Sequence, residues 1–496
     1  MRHFYWYGLF IISTILFWNC NREEIIIEGG DISLDFSTDT LRFDTVFTEL
    51  GSATRFIKIY NQEKRRVRID RISLQNGVGS HFRMNVDGIP GNDIRDVEIA
   101  AEDSLYIFCE VTIDPNQPLS ISPFVIEGGV VIEAGDKSQT IVLEAWGQNA
   151  NYIPNRFSKG TFSVLSCNLA EVVWNDPKPY VIYGGLFIND CTLTLPPGAK
   201  VYVHGGLVRS DDLGVYNDGF IWVLERGRLN VTGTLEKPVI IQGDRLEENF
   251  QDQPGQWTGI FIGAKSRGSS IEHATIRNSR FGVYVDSAAT LVARNAQFYN
   301  TSSSGVIGVH SKITMENCLI YNNNSNSVQL VYGGDYTFDH CTVASYGVDA
   351  SALAMSNFIC YVPNNLGCDL GGSYRLNASF KNSIFFGSRQ DEIILDSRGG
   401  VDRSQFNYLF ENCIVRVNKL LEDANFSNFF DFCTNCPQKL TTVDKLFVNS
   451  SKDDYHLDSL SVAIGLGAPI PSITTDLKGK IRDINQPDAG CFEREN

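Results

Sequence analysis

The sequence predicts an all-β chain built as an N-terminal β-sandwich followed by a parallel β-solenoid. Three observations lead there. Short apolar–polar alternating runs separated by turn residues fill residues 31–150, the pattern of half-buried strands. From His273 onward an Asn-or-His position recurs at a step near 22 residues. A hydrophobic content of 43% over 496 residues supplies enough apolar surface for two to three separate cores.

The solenoid element rests on the stretch "ITMENCLIYNN", Ile313–Asn323, which has the apolar residues of a strand but places Asn317 and Cys318 in its middle. Asn is depleted in strands. Segments of the same frame occur at 272–276, 293–298, 338–343, 380–385 and 410–415. They align a polar column, His273, Asn295, Asn317, His340, Asn382 and Asn412, with a column of small residues, Ala274, Ala296, Cys318, Cys341, Ser383 and Cys413. The steps of the polar column are 22, 22, 23, 42 and 30 residues, so the later turns carry insertions. In a solenoid, equivalent residues of successive coils stack about 4.8 Å apart. A side-chain amide both donates and accepts, so stacked amides satisfy one another inside the wall. The expected role of the column is structural, and the small column fills a corner.

The sandwich element rests on "TRFIKIYN" (54–61), "RVRIDRISL" (66–74), "SLYIFCEVTI" (104–113), "GGVVIEA" (128–134) and "TIVLEAWG" (140–147). With Asn61 closing a strand, "HFRMN" at 81–85 and "EVTIDPN" at 110–116, the block resembles an immunoglobulin-like domain of cilia- and envelope-associated proteins. That resemblance implies a spacer or adhesion module. Across residues 180–345, "PPGAKVYV", "GRLNVTGTLEKPVIIQG" and "GQWTGIFIG" precede the repeats in the order seen in secreted right-handed parallel β-helix proteins of the pectate-lyase-like superfamily, which this block resembles. The tail, with Gly479, Arg482, Asp488, Gly490 and Glu493, resembles their closing segment, although Gly465 stands where those proteins carry Asp. The implied organisation is a signal peptide (1–19), a lipidated cysteine and tether (20–30), an immunoglobulin-like sandwich (31–150), a right-handed parallel β-helix (151–455) and a C-terminal segment (456–496) that caps its open end.

The charge-free run Phe4–Trp18 suits a signal-peptide core, with a signal anchor as the other reading. "LFWNCNREE" resembles a bacterial lipoprotein signal, which implies lipidation of Cys20, with Phe17, Trp18 and Asn19 where the family prefers smaller residues. The acidic residues that follow resemble the export tag of surface-exposed lipoproteins. The expectation is an outer-membrane lipoprotein on the cell surface, the periplasmic face being the alternative. Its partners are then the membrane, through the lipid anchor, and polysaccharide or other envelope components. A net charge of −16 argues against nucleic acid, and against acidic polymers unless a local basic patch overrides the average. Of the 12 cysteines, Cys109, Cys318, Cys341 and Cys413 sit in apolar runs and read as buried thiols. Cys318 and Cys341 stack as neighbours, close enough for a bond. Cys433 and Cys436 form a CxxC that fits a local disulfide, a redox pair or half a zinc site; without a second CxxC a structural role is favoured.

No catalytic constellation stands out. The paired-Asp, Gly-His-Gly and Arg-Ile-Lys motifs of pectin hydrolases are absent. Arg277, Arg280 and Asp286 form the one charge cluster of the regular repeats and are the candidate site, against a reading as solvated turn residues. No cofactor is required. Calcium is left open by Asp211, Asp212, Asn217 and Asp218, whose oxygens fit a hard cation but equally a solvated loop. The functional expectation is a non-enzymatic envelope protein that binds glycan, adheres or builds the envelope. The alternative is a polysaccharide lyase or glycoside hydrolase on the same helix. Converging cations and carboxylates in a groove favour the enzyme; an exposed aromatic row favours glycan binding.

Fatty-acid labelling tests the anchor: label is expected on the wild type and absent from Cys20→Ser, and equal labelling of both would remove the lipid-anchor expectation.

Overall fold

The computed structural model describes residues 33–47, 54–77, 80–112, 124–155, 160–210, 214–246, 250–364, 367–397, 404–441 and 443–494. Cys20 and its flanks lie outside them. Among the described residues there is no α-helix. Internal contacts divide the chain after Asn149 into two units.

The first unit packs two five-stranded sheets, one ordered Leu34–Phe36, Arg55–Asn61, Ser104–Val111, Phe82–Val86, Ile89–Pro90, the other Thr40–Phe47, Lys137–Gln148, Phe124–Ala134, Val67–Leu74, Asp93–Ile99. Period-2 alternation turns Ile57, Ile59, Ile69, Ile107 and Leu143 into the space between them, and an irregularity at Asp70 brings Ile72 in as well. Asn61 closes its strand because its buried amide donates to Arg65 O at 2.9 Å and to Ala100 O at 2.8 Å, carbonyls that no ladder serves. Cys109 lies in this core as a free thiol.

The second unit is a stack of coils, each with three faces. Face A contains Gly185–Ile188, Phe220–Val223, Gly259–Ile262 and Val283–Val285. Face B contains Thr192–Leu195, Arg228–Thr232, Ser269–Glu272 and Thr290–Arg294. Face C contains Tyr180–Tyr183, Lys200–His204, Val239–Gly243, Ala274–Arg277, Gln297–Thr301 and Leu319–Asn323. Pairing between coils is parallel and in register, so Leu186, Ile221, Ile260, Val283, Val306 and Val328 form one inward column. In the 42-residue step the insertion is a hairpin, Phe358–Asn364 with Gly367–Ser373.

The polar column sits at the corner from face B to face C, and every member has a left-handed backbone, with φ from 44° at His273 to 54° at Asn412. Asn and His tolerate this region better than most side chains. The amides then link the coils: Asn317 Nδ2 donates to Asn295 Oδ1 (3.1 Å), Asn382 Nδ2 to His340 Nε2 (2.9 Å) and Asn412 Nδ2 to Asn382 Oδ1 (3.3 Å). A seventh member is Asn435, φ 53°, which donates to Asn412 Oδ1 at 2.8 Å. It lies inside the CxxC, so "CTNC" is one more coil corner, and Cys433 and Cys436 form a disulfide. Cys318, Cys341 and Cys413 are buried and free, so the conceivable Cys318–Cys341 bond is not formed. A second disulfide, Cys167–Cys191, joins the first coils.

The ladder is interrupted between Asn317 and His340, and the C-terminal segment fills the gap. Arg482 Nη2 donates to Asn317 Oδ1 at 2.7 Å and to Gly490 O at 3.0 Å, while Arg482 Nη1 pairs with Glu493 Oε2 at 3.2 Å. The tail also accepts from the ladder, through Thr475 O to Asn317 Nδ2 (2.7 Å) and Ala468 O to Asn382 Nδ2 (2.7 Å). The segment from His456 onward was expected to cap the open end; instead it lies along the side of the coils. The outward side chains Leu319, Tyr321, Ala344, Ile384 and Phe386 of face C are apolar and are buried by Leu457, Leu477 and Phe492. The last coils are closed by residues 419–432, where Phe426 and Phe429 pack on Phe406, Tyr408 and Phe410.

Two stability predictions follow from this corner. Asn317→Leu leaves neighbouring polar groups without partners and should cost about 1–3 kcal/mol. Arg482→Met strands buried Glu493 as well and should cost more, about 3–5 kcal/mol; urea melts giving the reverse order would contradict the lock. Burial and nearby Arg482 push the His340 imidazole down to about 3. An unfolded chain takes up that proton below about pH 6.5, so stability present above this pH is lost as pH falls toward 3, by about 1.4 kcal/mol per unit from this group. His340→Asn should remove that slope from the pH-dependence of the melts.

Candidate functional site

Face A carries the candidate site on its outer side. Alternation points Leu186, Ile221, Ile260 and Val283 inward, and therefore Phe187, Trp222, Phe261 and Tyr284 outward, one above another. Ring centroids are 5.7 Å apart for Phe187–Trp222, 4.7 Å for Trp222–Phe261 and 5.6 Å for Phe261–Tyr284. Beside this column run Phe162, Gly185, Phe220 and Gly259. A Cβ on Gly185 would overlap the Phe220 and Phe162 rings, so glycine there lets the rings close over the backbone.

One wall is the hairpin Gly206–Ser210 with Gly214–Asp218, inserted at the corner from face C to face A. Its Leu207 and Val215 are 71% and 68% exposed. Tyr216 lies 5.9 Å from Phe162. The hairpin base is pinned by Thr258 Oγ1 donating to Asn217 O (3.0 Å) and by Gly160 N donating to buried Asp218 Oδ2 (2.8 Å). The resulting cleft has a volume of about 720 Å³. Among the described residues, Arg280, Asn217, Thr258 and Tyr216 are the polar ones lining it, and none contributes a carboxylate.

The structure separates the expected charge cluster. Arg277 is on face C, donating to Gln242 Oε1 (2.7 Å) and Tyr299 Oη (3.2 Å) and pairing with Asp252 at 3.6 Å. Arg280 is exposed at the cleft rim. Asp286 is at the corner from face A to face B, where its Oδ1 accepts from Ser287 N at 2.7 Å. Ten residues of one coil pass two corners, so sequence neighbours end on different faces, and only Arg280 reaches the cleft. Of the calcium candidates, Asp211 and Asp212 lie outside the described residues, and Asn217 and Asp218 belong to the hairpin wall, Asp218 being buried at its base. Among the described residues no three His, Cys, Asp or Glu side chains are grouped to hold a metal ion.

Three features went unread in the sequence. The aromatic column follows no fixed period, because loops of different length separate its members. Its signal is the third position of "GLFI", "FIWV", "GIFI" and "GVYV". A second amide column runs at the corner after face C, with Asn300 Nδ2 donating to Asn278 Oδ1 at 2.7 Å. On face C, His204 Nδ1 and Asp244 Oδ2 are 2.6 Å apart, with Tyr183 stacked 4.1 Å from the imidazole. The histidine is 22% exposed and the carboxylate 10%. Burial, Asp244 and Asp218 together raise the Tyr183 hydroxyl above its ordinary value.

A family model described as "Right handed beta helix region" matches residues 258–453. The second unit is a right-handed β-helix. No curated protein matches the chain. Among solved structures, the chain is similar to the catalytic unit of a thermostable GH87 alpha-1,3-glucanase from Streptomyces thermodiastaticus, with 10% identity, TM-score 0.31, and coverage of 73% of this chain and 74% of that one. It is also similar to a family 123 glycoside hydrolase from Clostridium perfringens, with 10% identity, TM-score 0.18, and coverage of 25% of this chain and 30% of that one. The ASH/PapD-like domain of human CEP192 matches over 26% of this chain and 96% of its own, at 8% identity and TM-score 0.16. At these scores none of the three bears on function.

Proposed function

We propose that this protein is an envelope lipoprotein whose β-helix binds glycan in the face A cleft without cleaving it. The sandwich serves as an immunoglobulin-like spacer, and a lipid on Cys20 holds the protein to the outer membrane. The observation that carries the reading is an apolar aromatic cleft with polar groups at its rim and no carboxylate among the described residues of its lining. A sugar chain presents C–H faces and hydroxyls together, which suits an aromatic floor beside Arg280, Asn217 and Thr258. Glycoside hydrolysis needs two carboxylates flanking the bond, and the described residues of this lining supply none.

The second reading, a lyase or hydrolase, has one observation in its favour. In the His204–Asp244 pair a carboxylate orients an imidazole, the arrangement of a general base. It stands on face C, outside the cleft lining.

A glycan array followed by product analysis separates the two. The wild type is expected to bind, Trp222→Ala to bind about tenfold more weakly or worse, and neither to release reducing or unsaturated sugars, with or without calcium. Turnover abolished by His204→Ala, Arg280→Ala or Asp286→Ala would replace the binder reading with the enzyme.

A further inference from the structure

The structure assigns a second binding surface to the N-terminal sandwich, an aromatic platform for an acidic polysaccharide on the outer side of its first sheet. On strands Arg55–Asn61 and Ser104–Val111 the inward residues Ile57, Ile59, Leu105, Ile107 and Cys109 complete the core. The outward positions of a solvated sheet face are ordinarily polar. Here they carry Phe56, Tyr106 and Phe108, exposed by 50%, 36% and 38%. The rings form a triangle, with centroids 5.4 Å apart for Phe56–Tyr106, 5.9 Å for Tyr106–Phe108 and 6.4 Å for Phe56–Phe108. Phe56 pairs across the strands with Phe108, and Lys58 with Tyr106.

The charges around the rings favour an anion. Lys58 Nζ lies 5.0 Å from the Tyr60 ring and 5.1 Å from the Tyr106 ring, and forms no ion pair with a described residue. Arg83, on the neighbouring strand Phe82–Val86, is exposed and likewise unpaired among the described residues. Opposite it, Glu110 accepts from Thr54 Oγ1 at 2.8 Å, and Asp35 lies on the outer strand beside Tyr60. In a chain of net charge −16, two unpaired cations flanking three exposed rings form a local basic patch. Two cations are too few for a nucleic-acid backbone on so acidic a protein. A peptide adding as a strand is excluded at this position, because both strands that carry the rings are internal to the sheet and their ladders are occupied. A uronate-bearing chain fits both halves of the patch. Pyranose C–H faces pack on Phe56, Tyr106 and Phe108, and the carboxylates meet Lys58 and Arg83.

Affinity electrophoresis of the full chain tests this, with gels containing polygalacturonate or neutral dextran. The wild type should be retarded by polygalacturonate and not by dextran, less so at high salt. The triple variant Phe56→Ala/Tyr106→Ala/Phe108→Ala and the double variant Lys58→Gln/Arg83→Gln should each bind about tenfold more weakly. All five positions are on the outer side of the sheet, so melting curves should stay close to the wild type. Trp222→Ala should keep the retardation, which separates this surface from the face A cleft. The assignment is overturned by an unretarded wild type, by equal retardation in both gels, by unchanged binding of either variant, or by loss of binding in Trp222→Ala.

Discussion

A left-handed turn residue with a hydrogen-bonding side chain, placed once per coil, is the constraint on which the β-helix depends. The corner from face B to face C turns sharply and needs positive φ. Glycine would provide the angle but no side chain to join one coil to the next. Asn provides both, and its amide donates to the coil before while accepting from the coil after. The strands of faces B and C are thereby held in register, and the inward columns follow from alternation.

The same corner explains how the C-terminal segment is used. Where the ladder breaks between Asn317 and His340, a buried arginine supplies the missing donor and brings Glu493 and the Gly490 carbonyl with it. Gly490 and Cys491 then approach face C, with Gly490 N donating to Asn382 O at 2.7 Å and Cys491 N to Thr342 Oγ1 at 3.0 Å. This accounts for the apolar character, on both sides, of the face C strands from Leu319 onward. Strand Ile384–Gly387 is buried throughout, with Phe385 in the helix interior and Ile384 and Phe386 under the tail. Among the described residues of the second unit nothing comparable covers face A, and its corner with face C accepts the long insertion that walls the cleft. The architecture thus assigns one outer face to stability and leaves another open to a ligand.

Both proposed binding surfaces arise from the same departure from pattern, aromatic residues at outward positions of a sheet. On face A the rings stack from coil to coil because parallel register repeats the position. On the sandwich they pair across antiparallel strands. The first surface is a walled cleft in which Arg280 is the one cationic side chain among the described lining residues. The second is open and flanked by two cations, so the two suit different glycan chemistries.

What the sequence determined by itself was whatever repeats locally. The Asn column, the small column, the strand alternation and the buried thiols are each set by neighbours within one coil or one strand, and they were legible as the all-β organisation. The seventh corner, Asn435, had the same frame but was obscured by its cysteines. The site was much less legible. Phe187, Trp222, Phe261 and Tyr284 become one column only when loops of unequal length are folded out of the coil, and Arg277, Arg280 and Asp286, close in sequence, are dispersed by two corners. The tail's arginine was recognisable as a residue of the closing segment, yet its partner, Asn317, is 165 positions away. Those pairings were decided by the tertiary structure, because stacking of coils brings together residues whose separation along the chain carries no fixed period.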